Sequence, residues 1–121
     1  MRVSTGEARL AGSRLEYDLR MPLYEAQHIR RREDVLDAVV FAGARRVSGD
    51  CREDVREGSL ICRAAYDYPQ PPARLRVESR LASLTVPNHV HLLRAVRDGK
   101  WDQAVLEASN SSAELRFEPP G

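Results

Sequence analysis

Long apolar runs are missing from this chain. None approaches the roughly 18–20 residues that a membrane helix needs. The opening stretch, Met1-Arg2-Val3-Ser4-Thr5-Gly6, has no apolar signal core. Excess charge is missing too: 19 Lys+Arg face 18 Asp+Glu, which argues against a dedicated nucleic-acid binder. Cysteine is scarce at two residues, so a four-cysteine zinc site within one chain is excluded and no CxxC pair is present. G-x-S-x-G, P-loop and dinucleotide fingerprints are likewise absent.

What remains is a 121-residue chain, 31% charged and 42% hydrophobic. That is too apolar for a disordered chain and long enough for one domain, here expected over residues 1–121. Residues 14–24 give the clearest local signal. Leu15, Tyr17, Leu19, Met21 and Leu23 alternate with Arg14, Glu16, Asp18 and Arg20, as on a half-buried strand. Gly12-Ser13 reads as a turn, with residues 3–11 a weaker partner strand. Residues 33–42 suit a short helix over the strand alternative. Glu33 and Asp34 fit its start, Gly43 its end, and Val35, Leu36, Val39 and Val40 one face.

Residues 45–68 read as a hairpin turning between Arg52 and Gly58. Its return strand places Leu60, Cys62, Ala64, Tyr66 and Tyr68 on one face, and Pro69, Pro71 and Pro72 end it. Residues 74–86 form another strand, in which apolar parity switches near Leu81–Ser83, the signature of a bulge or bend. Residues 89–108 make a second hairpin around Asp98-Gly99, pairing Val96 with Trp101 and Leu92 with Val105. Leu115 and Phe117 mark a last strand before Pro119-Pro120-Gly121. The expected fold is mainly β: an antiparallel β-sandwich, immunoglobulin-like in outline, of six to eight strands with at most one short helix.

Cys51 and Cys62 fall on opposite arms of the first hairpin. With the turn centred between Arg56 and Glu57 they face each other at disulfide range. The alternative is two small buried thiols in a reducing cytosol. A disulfide would mean an oxidising compartment.

His89 and His91 lie two apart, so on a strand both imidazoles project from one face. They are candidate ligands for nickel, copper or zinc, with His28 a candidate third. The plainer alternative is a strand start with one ring hydrogen-bonded and one solvated. Asp50, Glu53, Asp54 and Glu57 read as a solvated tip, with a calcium site the sharper alternative. Tyr66, Tyr68 and the prolines at 69–72 read as strand-ending structure, with an interaction surface as the alternative.

Several strings then stand out together. They are Thr85-Val86-Pro87-Asn88-His89-Val90-His91-Leu92-Leu93-Arg94-Ala95, Asp102-Gln103-Ala104-Val105, the final Leu115-Arg116-Phe117, and Gly49-Asp50-Cys51 followed by Cys62-Arg63-Ala64. Over about residues 14–118 the chain resembles the extracytoplasmic β-rich region that precedes the membrane helices of bacterial HupE/UreJ-type membrane proteins. The resemblance implies a periplasmic or cell-surface domain tethered to a membrane region. It also implies a part in nickel or cobalt handling, since HupE/UreJ proteins are regarded as nickel or cobalt permeases, and the imidazole pair adds copper as a candidate metal. This sequence departs from the whole-protein pattern in lacking a signal peptide and membrane helices.

The expected function is therefore a non-enzymatic binding, sensor or docking domain, partnered by a membrane-protein region or another protein and not by nucleic acid. The alternative is a cytosolic assembly module that pairs through exposed strand edges. A small hydrolase would need a convergent polar pocket around His28, His89 or His91.

Overall fold

The computed structural model describes residues 3–117. The expected end of the domain at Pro119-Pro120-Gly121 lies outside them. Among the described residues nine strands and three short helices follow in chain order. They are β1 (Val3–Ala11), β2 (Arg14–Pro22), α1 (Leu23–Ala26), α2 (Asp34–Asp37), β3 (Val39–Phe41), β4 (Arg45–Asp54), β5 (Ser59–Asp67), β6 (Leu75–Ser79), α3 (Leu81–Leu84), β7 (Val90–Arg97), β8 (Lys100–Leu106) and β9 (Ser112–Leu115). Six to eight strands and at most one short helix were expected; the short strand β3 and the single-turn helices α1 and α3 leave too few residues for a local signal.

They form two sheets, a six-stranded one in the order β4-β5-β2-β1-β7-β8 and a three-stranded one in the order β3-β6-β9. The large sheet is mixed, because β1 runs antiparallel to β2 but parallel to β7. A wholly antiparallel sheet was expected. The parallel pair joins residues far apart in sequence, such as Ser4 and His91, so no local turn signal announces it.

The hairpins follow their turn residues. Gly12, at φ +61°, turns β1 into β2. Asp98 and Gly99 take φ values of 51° and 76°, the left-handed pair that a two-residue hairpin turn requires. That turn sets the expected register, Val96 opposite Trp101 and Leu92 opposite Val105. The β4–β5 hairpin runs further than expected. Its first strand continues to Asp54, so the turn is only Val55 to Gly58, with Gly58 at φ +65°.

Two local expectations change. Residues 33–42 are both helix and strand: one helical turn at Asp34–Asp37, then β3. Pairing of Val39 with Ser79 and Phe41 with Val77 imposes strand alternation, which turns Val40 outward, away from the face it was expected to share. The parity switch near Leu81 is the sheet-crossing bend of the two alternatives, made by a helical turn, α3, that carries the chain from β6 in the small sheet to β7 in the large one. One turn of helix re-aims the chain between β6 and β7 while Leu81 stays fully buried.

One core lies between the two sheets. β2 contributes Leu15, Tyr17, Leu19 and Met21, all at most 1% exposed. The small sheet answers with Val39, Phe41, Leu75, Val77 and Leu115. The Phe41 ring stands edge-on to Tyr17 and Tyr66, with centroids 5.1 Å away in each case. Tyr66 and Tyr68 are thus core residues and not an interaction surface.

Candidate functional site

The inward positions at the start of β1 are Ser4, Gly6, Ala8 and Leu10. Ser4 is a hydroxyl on a face that otherwise faces core, and it is fully buried. The parallel pairing sets it opposite His91, and the chain entering β7 sets His89 on its other side. Ser4 Oγ lies 2.7 Å from His89 Nε2 and 2.6 Å from His91 Nδ1. His89 Nδ1 lies 2.5 Å from Glu25 Oε2 of α1. His91 Nε2 lies 2.6 Å from the Tyr17 hydroxyl of β2. The result is a buried line: Glu25, His89, Ser4, His91, Tyr17.

Proton accounting fixes its direction at the Tyr17 end. Burial, and next the neighbouring Tyr66, push the Tyr17 phenol well above its ordinary range, so it keeps its proton and must donate. Burial first, and His89 second, push His91 down to about 3, so it is neutral and can accept. Tyr17 donates to His91 Nε2 and His91 donates from Nδ1 to Ser4, while His89 stands between the Ser4 hydroxyl and the Glu25 carboxyl group at the far end.

Gly6 makes room for this arrangement. A Cβ there would sit 2.5 Å from the Tyr17 hydroxyl oxygen and 2.8 Å from His91 Nε2. No side chain fits without parting that hydrogen bond.

Neither histidine is solvated, so the strand-start alternative holds for hydrogen bonding and fails for exposure. His28 is exposed on the turn after α1. Among the described residues no three His, Cys, Asp or Glu side chains gather into a metal-holding group. A metal at either buried ring would have to displace Ser4, Tyr17 or Glu25. The order Glu25–His89–Ser4 is that of an acyl-transfer triad. However, Ser4 is fully buried and a second imidazole shares its hydroxyl, so no substrate reaches it in this conformation.

Sequence reasoning singled out the two histidines but missed Ser4 and Glu25 as partners and took Tyr17 as plain core. Ser4 carried a usable signal: alternation in β1 places it on the apolar face. Glu25 carried none, since its contact with His89 spans 64 residues.

The second feature is the Cys51–Cys62 disulfide, with Cα atoms 4.0 Å apart at the expected register. It ties the edge strand β4 to β5. A bridge closing a loop this short contributes roughly 2–3 kcal/mol.

The third is the outer face of the large sheet. Toward β7 and β8 it carries Leu92, Trp101 and Val105, which are 41%, 55% and 51% exposed. The Arg94 guanidinium lies 5.2 Å from the centre of the Trp101 ring. An open groove of about 670 Å³ runs beside Leu92 and Val105 toward Arg20 and Ile61. The acidic tip, by contrast, is solvated, with Glu53 paired to Arg32 at 3.2 Å. Among the described residues no helix is long and apolar enough to cross a membrane. No protein-family model matches this chain, and no curated protein matches it.

Proposed function

We propose that this chain is a non-enzymatic extracytoplasmic docking and sensor domain of a membrane protein. The observation that carries the reading is the cluster of Leu92, Trp101 and Val105 on the outer sheet face. Large apolar side chains grouped beside a groove on an otherwise charged face are the usual mark of a protein contact. The disulfide supports an oxidising compartment, and the HupE/UreJ resemblance supports a membrane region as the partner. The sealed Ser4 supports a binding role over a hydrolytic one. The finer outline, an immunoglobulin-like sandwich, belongs to the same proposal, and two sheets enclosing one core support it. In this reading any nickel, cobalt or copper chemistry lies in the partner membrane region, and His28, His89 and His91 serve the domain itself.

The alternative, cytosolic assembly through strand edges, finds less support. The edge strand β4 is densely charged and its register slips at Val47. Charges and bulges at an edge oppose pairing with another chain. At the other edge, Asp102 of β8 accepts the backbone N–H of Arg116 at 2.9 Å.

A photo-cross-linking residue at position 105 tests the proposal in cells that express the natural gene product. The expected adduct joins the domain to an integral membrane segment, in the membrane fraction. Adducts confined to soluble cytosolic proteins would overturn it.

A further inference from the structure

We propose that the buried line from Glu25 to Tyr17 is an acid-released latch, holding α1 and the crossover to β3 against the end of the large sheet. The inference goes beyond the docking reading and does not depend on it.

The line joins four parts of the fold: Ser4 on β1, Tyr17 on β2, Glu25 on α1, and His89 with His91 at the entry to β7. The strands are also held by their ladders. α1 has no ladder: it is a four-residue helix with no side-chain cap, joined by the Leu23 N–H to the Gly58 carbonyl at 2.8 Å and by the buried contact of Glu25 with His89. Most of the side chains from Gln27 to Asp34 are exposed, whereas Val35, Leu36 and Ala38 beyond them are buried, so the weakly packed stretch ends at Asp34.

The groups facing the two rings decide what acid does. β1 brings the Ser4 hydroxyl, which carries no charge. β2 brings the Tyr17 phenol, itself influenced by Tyr66 of β5. α1 brings Glu25, which faces His89 only. β3 brings Phe41, against the Tyr17 ring. Among the described residues no carboxylate is bonded to His91. A second proton on His91 removes the acceptor of the Tyr17 hydroxyl and leaves an added charge in the core with no carboxylate beside it. Release of α1 admits water to the rings and relieves both faults.

Hydrogen exchange of the full chain at about pH 7 and about pH 4.5, corrected for intrinsic rates, reads the latch. Residues 23–34 should exchange through an opening separate from that of the β2–β5 ladder. That opening should become about 100-fold more populated at the lower pH, as one histidine regains its ordinary affinity for a proton. In His91→Gln the increase should shrink to a few-fold, and in His28→Ala it should remain. The proposal is overturned if residues 23–34 exchange only together with β5, or if their opening ignores pH. It is equally overturned if His28→Ala abolishes the response or a folded His91→Gln retains it. Should His91→Gln not fold, the wild-type and His28→Ala results decide.

Discussion

Acidification from about pH 7 to about pH 4 is expected to remove roughly 3 kcal/mol of stability through His91 alone. Its folded-state affinity for protons is low, at about 3 against an ordinary 6.5, because burial and then His89 oppose a charge there. Between those two values the unfolded chain binds the extra proton and the folded chain does not. Stability is therefore full above about pH 6.5, falls as pH drops, and stops falling from this source near pH 3. Over the whole window the loss is about 5 kcal/mol, a large part of what a domain this size commonly has. Urea denaturation at stepped pH measures it. His91→Gln separates this slope from that of surface carboxylates such as Glu114, which Arg74 in particular holds below its ordinary range. A wild-type slope no steeper than that of the variant would remove His91 as the cause.

His89→Ala is expected to cost about 3–5 kcal/mol at neutral pH. The substitution opens a cavity, but its main effect is on Glu25. That carboxylate is 2% exposed, and its Oε1 already has no hydrogen-bond partner. Without His89, Oε2 loses its partner as well. Adding Glu25→Gln to His89→Ala should recover part of the loss, because a buried amide carries no net charge. His28→Ala, at an exposed position, should change stability by less than about 0.5 kcal/mol. Urea midpoints of the four proteins give the comparison. If the double variant is less stable than His89→Ala alone, the stranded carboxylate is not the source of the cost.

The legible parts of this fold were those governed by neighbours in sequence. Alternation identified β2, Asp98-Gly99 fixed the β7–β8 register, and the β4–β5 turn brought Cys51 to Cys62. The illegible parts depend on distant partners. β1 and β7 pair in parallel across more than eighty residues, as Ser4 and His91 illustrate through a bond spanning 87 positions. Val39 to Phe41 is a strand because β6 lies beside it, although the residues before it carry helix signals. The apolar switch at Leu81 has the same local pattern for a bulge and for a single helical turn, and tertiary packing chose the turn. For the site, spacing placed His89 and His91 together, but their partners arrive from β1, β2 and α1. Nothing local to residues 88–91 encodes them. The outer-face cluster was half visible, since the predicted hairpin already set Leu92 opposite Val105.

Imidazole nitrogen chemical shifts of His89 and His91, followed by NMR from about pH 7 to about pH 4, test the directed buried line most directly. The His91 ring should be neutral at pH 7, protonated on Nδ1, and remain so in the folded protein throughout. A His91 ring that carries its proton on Nε2, or that titrates near its ordinary value while the protein stays folded, would contradict the account.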